Sequence, residues 1–421
     1  MTPVQNHTEH KIIAIVDAYS SGALYPAEFK KRGYDCVHIQ SSLDLHPGWF
    51  HSFQPGDFIA KLVHQGDLDA TIRQLSPYSP DAVIAGAECG VILADALSEK
   101  MGLKTNGTKL SEARRNKYLT HELLREHGVP SAHQIKSDRI DNILNWATTR
   151  NIWPVVIKPL NSAGSDCVQI CHSSSEIKEA FASIVGKKNQ MHLVNHEVLA
   201  QEFLEGDEYI VDTVSCEGQH NVCAIFRYKK IHIHRQPVYE NQILLPVTGP
   251  VQKALCDYSL QVLEAFNFKY GPTHLEMMLT KRGPVLVEIN ARLDGAMCPL
   301  LIHECTGYGQ VQRTADAYLN RDQFFKLKPH PYELKKNGMI LHFISEQSGL
   351  IQDLCYLDRI KELPSFFSLN LNVHKNEFLE KTIDLISSPG HVKLAHEDLA
   401  VLNRDYEAIR QWEREGIFVV R

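Results

Sequence analysis

No stretch of this 421-residue chain approaches the ~20 consecutive apolar residues that a membrane-spanning helix needs. The first residues, MTPVQNHTEHK, are polar and contain no apolar signal core, so the sequence reads as soluble and cytoplasmic. Neither sign of charge dominates. With 44 Lys and Arg against 50 Asp and Glu, the net charge of −6 gives no ground for a nucleic-acid or anionic-membrane partner. None of the ten cysteines forms a C-x-x-C pair; Cys167 and Cys171 are the nearest two. That spacing argues against a zinc site or a disulfide frame and for reduced, mostly buried thiols. Internal repeats, low-complexity tracts and a G-x-x-x-x-G-K-[ST] phosphate loop are also missing. What remains is ordinary globular material, 43% apolar and 22% charged, long enough for two or three cores.

The order of elements is more telling. KIIAIVD (11–17), YDCVHIQ (34–40) and PDAVIAGAECG (80–90) read as buried strands, with helices predicted at LYPAEFKKRG and from about Val91 to Met101. This alternation implies a parallel sheet in residues 1–105, with ligands beyond the carboxyl ends of its strands, where Glu88 falls. SEARRNKYLTHELLREHGVP has a helix pattern stopped by Gly128 and Pro130. Residues 130–205 then read as a small α+β lid, followed by a larger antiparallel sheet and a helix at about 308–319. The last segment, 326–421, carries strands such as GMILHFIS and ends in the charged helix DYEAIRQWEREG.

Chemistry concentrates in THLEMMLTKRGPVLVEINARLDG, residues 273–295. Lys281-Arg282-Gly283 reads as a three-residue turn, and facing Thr280 with Pro284 sets Glu276 opposite Glu288. Asn290 and Arg292 share the face of Glu288, while Leu275, Met277, Leu279, Val285, Val287 and Ile289 form the apolar face. Two opposed carboxylates repel and call for a cation between them. With an asparagine carbonyl beside them the set suits Mg²⁺, a hard ion that takes oxygen ligands and shares them with phosphates. A solvated sheet face with two glutamates opposed by chance is the competing reading.

Three further stretches gain weight only beside that hairpin. In WPVVIKPLNSAGSDCV, Lys158 ends an apolar strand and a small-residue loop follows, able to wrap phosphates with backbone N–H groups or simply to turn the chain. In LAQEFLEGDEYIVD two strands meet at acidic residues. Lys117 lies on the preceding helix. His232 and His234 in KKIHIHRQ have a metal-compatible spacing, but among 22 histidines chance pairing is favoured, and RYKK (227–230) is taken as either a clamp or solvated surface.

In their order along the chain, Lys117, VVIKP with its Gly/Ser loop, QEFLEGDEYIVD and HLEMML…GPVLVEINAR resemble the ATP-grasp superfamily of carboxylate–amine ligases, strongly over 106–299. The hairpin and LPSFFSLNLNV resemble more narrowly its L-amino-acid ligases, which make dipeptides. The resemblance implies an ATP-grasp domain over 106–325, between a Rossmann-like preATP-grasp domain (1–105) and a C-terminal α+β subdomain (326–421). It implies that Glu276, Glu288 and Asn290 hold Mg²⁺, or Mn²⁺ in its place. Lys117, Lys158 and the loop with Ser162, Gly164 and Ser165 would meet ATP phosphates. Backbone groups of Glu202 and Leu204 would meet adenine, and Glu208 the ribose. Arg292 would steady the substrate carboxylate or tetrahedral intermediate, with Glu88 a candidate for a substrate ammonium group. The partners implied are amino acids and ATP, with a homodimer common among such ligases. The implied chemistry activates a carboxylate as an acyl phosphate, which an amine then displaces. Rival readings are an ATP-grasp carboxylase, a ligase for nucleotide precursors, and a nucleotide-binding regulator without catalysis.

Overall fold

The computed structural model describes residues 11–45, 47–162, 166–189, 192–233, 236–326, 332–384 and 387–421. Strands β1 (Ile12–Val16), β2 (Asp35–Gln40), β3 (Ala60–Val63) and β4 (Ala82–Ala85) form a parallel sheet in the order β3-β2-β1-β4. β1 is buried along its whole length because the sheet is covered on both faces. Ile13 and Ile15 pack with helix α1 (Tyr25–Lys31), whereas Ile12, Ala14 and Val16 pack towards α2 (Leu68–Leu75) and α3 (Val91–Lys100). Each such buried Ile or Val contributes roughly 1.5–3 kcal/mol relative to an exposed one.

Helix α4 spans Lys117–Glu126, several residues shorter than its sequence pattern. Asn116 ends it, since its side-chain oxygen accepts from the amides of Tyr118 and Leu119 at 3.0 and 3.2 Å. The residues just before are drawn into a polar knot: Arg114 and Ser111 both reach the carboxylate of Asp95, at 2.8 and 2.6 Å. Lys117 thereby becomes the first residue of the helix.

A four-stranded antiparallel sheet follows, ordered β5-β8-β6-β7, from β5 (Gln134–Ser137), β6 (Val155–Pro159), β7 (Gln169–Cys171) and β8 (Val198–Glu202). Helices α5 (Ile140–Arg150) and α6 (Ser174–Ile184) bury Ile143, Ile177, Phe181 and Ile184 against it. The main sheet has eight strands in the order β13-β12-β9-β10-β11-β14-β18-β16. Its first five are β9 (Gly206–Cys216), β10 (Gln219–Ile233), β11 (Gln236–Leu244), β12 (Gly271–Thr280) and β13 (Gly283–Asn290). Strands β14 (Asn337–His342), β16 (Phe366–Leu371) and β18 (Gly390–His396) continue the same sheet, because β14 pairs with β11 through Asn241 opposite Leu341. A small sheet of β15 (Gly349–Leu354), β17 (Phe378–Leu379) and β19 (Phe418–Val420) completes the strands among the described residues.

The two faces of the main sheet differ. Helix α7 (Pro250–Ala265) and α4 cover one face with Leu255, Val262 and Leu124 against Val211, Leu275, Met277, Leu286 and Ile289. On the other face α8 (Cys298–Thr306) covers Ile210, Ala224, Phe226, Leu244 and Ile340, and the strand positions beyond them are polar. Helix α9 spans Gln310–Leu319, α10 Arg321–Lys326, α11 Leu357–Lys361 and α12 Leu399–Glu415; the last packs Leu402, Tyr406 and Ile409 on the C-terminal strands. Among the described residues no helix is long and apolar enough to cross a membrane.

The hairpin turn departs from its sequence reading. Thr280 faces Gly283, not Pro284, so the loop has two residues, with Gly283 at φ 100°. A β-bulge between Glu276 and Met277 adds the missing residue on β13 and restores Glu276 opposite Glu288. The bulge also changes the core face. Leu286 joins Met277 in the core and Val287 is only half-buried, so the strict alternation through Val285 and Val287 fails on that strand.

Candidate active site

Two loops at the carboxyl ends of β1 and β4 touch backbone to backbone. A Cβ on Gly86 would lie 2.5 Å from the carbonyl oxygen of Asp17, and one on Gly22 would lie 2.3 Å from that of Gly86. Absence of side chains at these two positions lets the loops close and sets Ser21 and Glu88 on the rim facing the main sheet. Ser21 Oγ accepts from the amide of Met297 at 3.0 Å. Glu88 is buried between two guanidinium groups, 3.1 Å from Arg115 Nε and 3.4 Å from Arg292 Nε. The candidate ammonium holder is thus a counter-ion of Arg292, which also donates to the carbonyl of Leu293 at 2.8 Å.

Lys117 and Lys158 converge on the hairpin from another side. The Lys117 amide donates to Leu160 O at 3.0 Å, and its Nζ donates to Ser162 O and to Glu288 Oε1, both at 2.8 Å. It therefore ties the start of the small-residue loop to a predicted metal ligand. Ser162 Oγ donates to Asp166 at 2.7 Å. Lys158 is buried at the end of β6; burial, and then the charge of Lys117, push its pKa down to about 8 against the pull of Glu288 and Glu276. Gly164 and Ser165 lie outside the described residues, as does His234.

Across the hairpin, Glu276 faces Glu288 and His274 faces Asn290, so all four share one face. His274 is a functional candidate that the sequence reading passed over. Its Nδ1 lies 2.9 Å from Asp212 and 3.5 Å from Asp294, and its Nε2 lies 3.3 Å from Glu276. Burial alone would keep this imidazole neutral, but Asp294, then the hydrogen bonds to Asp212 and Glu276, outweigh it and lift the pKa to about 10. Burial raises Glu276, yet the bond and charge of His274 and the charges of Arg292 and Lys117 bring it below the ordinary carboxylate value. Asp212 is raised to about 7 by burial and then by the charge of Asp294, against the hydrogen bond and charge of His274. The signal was present in the sequence: His274 is two residues before Glu276, hence on its face. Asp212 became visible only with the β9–β12 register, where it faces His274.

The site fits a divalent cation on its donor chemistry. Glu276 and Glu288 offer carboxylate oxygens and Asn290 an amide oxygen, and two opposed carboxylates in a half-buried place draw positive charge. Beyond them Glu208 is buried, with its carboxylate paired to Lys230 and accepting from Tyr239 OH at 3.2 Å. Burial raises its pKa against the pull of Lys230. Lys230 belongs to the RYKK stretch, and it is this lysine that reaches the site. The Glu202 side chain accepts from the His133 amide at 2.9 Å and pairs with Arg282, so it braces the lid sheet against the hairpin turn. The Glu202 amide itself donates to His133 O. Leu204 lies in the short link between β8 and β9.

A parallel N-terminal sheet, a small four-stranded sheet carrying Lys158 and a large antiparallel sheet carrying paired glutamates together define a nucleotide-grasping ligase. Residues 152–299 match the ATP-grasp domain family, and similarity extends over nearly the whole chain, which belongs to the ATP-grasp ligases. Dapdiamide A synthase of Enterobacter agglomerans is 33% identical over 419 residues, 96% of each chain. An L-arginine-specific L-amino acid ligase of Bacillus subtilis is 20% identical, covering 80% of each chain. The crystal structure of an L-amino acid ligase from Bacillus licheniformis superposes with a TM-score of 0.74 at 17% identity, over 98% of this chain and 99% of that one. These relatives place the chain among ATP-dependent amide-forming enzymes.

Proposed function

We propose that this enzyme joins the carboxylate of one L-amino acid to the amino group of a second, using ATP and releasing ADP and phosphate. The observation that carries this reading is the convergence of Lys117, Lys158, Glu276, Glu288, Asn290 and Arg292 at one place between three sheets. Glu276, Glu288 and Asn290 would hold Mg²⁺, which supplies charge neutralisation at the triphosphate. Lys158 and Lys117 bind phosphate oxygens, with Ser162 held beside them by Lys117. Leu204 and the Glu202 backbone receive adenine, and Glu208 the ribose.

In the first step a carboxylate oxygen bonds to the γ-phosphorus as the bond to the bridging oxygen of ADP breaks. In the second, the amine nitrogen attacks the acyl carbon, phosphate leaves with the C–O electrons, and the nitrogen gives up a proton. Phosphoryl transfer asks the protein mainly for positioning and cations, which these side chains provide. Arg292, oriented by Glu88, steadies the carboxylate and then the tetrahedral oxygen. The unit built on β5–β8 acts as a lid that keeps water from the acyl phosphate. In this reading residues 1–105, 106–325 and 326–421 are the working units.

Support for amino acids over other substrates comes from the relatives, two of which are named as L-amino acid ligases. The test is ADP release across a panel of amino-acid pairs, followed by the mass of the product. Amino-acid-dependent ADP with a product equal to the two masses less one water is expected. ADP dependent on bicarbonate or a ribosylamine would replace this reading by the carboxylase or nucleotide-precursor one.

A further inference from the structure

The second substrate of a dipeptide-forming reaction keeps its own carboxylate, and nothing described so far holds it. We propose that Lys393 binds this carboxylate, at a subsite formed by the C-terminal strands; the inference rests on the ligase reading above.

Most cations around the site are already committed. Lys117 is paired with Glu288, Lys230 with Glu208, and Arg115 and Arg292 share Glu88. Lys158 stands between Lys117 and the two hairpin glutamates, where phosphates are expected. Lys393 differs from these. It is 4% exposed and forms no ion pair among the described residues, Asp294 acting on it only through its charge. Its one hydrogen bond among the described residues goes to the carbonyl of Ala296, which leaves two of its three N–H donors for an anion delivered to it.

Its location suits the second substrate. Tyr228 faces Gln242, Gln242 faces Ile340, and Ile340 faces Lys393, a row leading away from Glu208 across the main sheet. Three strand spacings place Lys393 about 14 Å from Tyr228 at backbone level. From there its side chain returns towards the reacting centre: Nζ donates to Ala296 O at 2.5 Å, in the loop that carries Arg292. Ala296 and Met297 both have left-handed backbone, at φ 49° and 57°, so that loop is held in a costly shape at the edge of the pocket.

Two neutral histidines lie beside Lys393, and Asp294 is the carboxylate whose charge reaches it. His342 and His391 face each other on adjacent strands, with pKa values pushed down to about 3 and 4, by burial first and then by charges that include Lys393. Gln242 is buried with its Oε1 lacking a hydrogen-bond partner, while its Nε2 lies 3.0 Å from His342 Nε2. Lys393 itself is lowered by burial, against Cys298 and Asp294. A single buried lysine can pair with one carboxylate, whereas a second phosphate site would gather several cations.

The experiment compares an amine-donor amino acid with its primary carboxamide, which lacks the free carboxylate and can act only as the amine. Product is read by mass as kcat/KM. The wild-type enzyme should prefer the acid by about 10- to 100-fold, the span of a charge-assisted hydrogen bond. Lys393→Met should collapse that preference towards unity, and Lys393→Arg should retain most of it. A wild type that uses amide and acid equally well overturns the subsite, whether or not either variant folds. So does a Lys393→Met enzyme that keeps the wild-type preference, which would leave Lys393 as a brace for the Ala296 carbonyl. Absence of any amino-acid-dependent ADP from the wild type is a separate result, and it removes the ligase reading itself.

Discussion

Replacing His274 by asparagine would take an imidazolium away from the three acidic side chains that it touches at 2.9, 3.3 and 3.5 Å. The rise of its pKa from 6.5 to about 10 corresponds to roughly 5 kcal/mol of preference for the charged ring in the folded protein. Removing one partner of a buried ionic group costs about 3–5 kcal/mol, so both routes reach the same order. The pH dependence has a definite sign. Because the folded pKa lies above the unfolded one, this stabilisation is complete below about 6.5 and is lost as pH rises through about 10. Urea unfolding of wild type and His274→Asn should therefore differ by several kcal/mol at pH 6.5 and by much less at pH 10. Divalent-ion affinity, measured by calorimetry on the nucleotide-free protein, should fall by about 10- to 100-fold, the usual effect of losing a group that orients a ligand. An equal difference in stability at both pH values would refute a charged His274, and unchanged ion affinity would refute its hold on Glu276.

Glu288→Gln should keep the fold, since the amide oxygen can still accept from Lys117 Nζ at the same place, yet lower ADP formation by at least about a hundredfold; normal turnover would dismiss the metal assignment. Lys158 loses its proton near pH 8 in the free protein, so ATP affinity should weaken about tenfold from pH 7 to 9, and Lys158→Arg should flatten that profile in a titration with nucleotide. A pH-independent wild type would contradict the shift. Gly86→Ala drives a methyl to 2.5 Å from Asp17 O, and should cost about 1–3 kcal/mol in unfolding and lower the rate by displacing Glu88; a neutral melt would show that the loops are not locked.

Much of the scaffold was legible because single strands announce themselves. β1, β2, β4, β6 and β14 are short, mostly apolar runs, and each appears where the pattern puts it. The opposed pair Glu276 and Glu288 was also legible, though through compensating differences: a shorter turn and a bulge that periodicity cannot register. Long-range pairing was not. Nothing local in YENQIL indicates that Asn241 would meet Leu341, so the C-terminal strands could not be seen to join the main sheet. For the same reason Asp212, 62 residues from His274, and Lys393, about a hundred from Ala296, carried no signal near their partners. Glu88 was found by its place at a strand end, but its two arginines come from separate segments.

The seam between β11 and β14 has a consequence for anyone trimming this enzyme. Ending the chain ahead of Asn337 would strip the covering partner from Asn241, Gln242 and Ile243 and leave a bare row of amides and carbonyls at a new margin. Such a fragment would contain every glutamate and lysine assigned to the nucleotide, and it would still stick to its own kind before it could turn over.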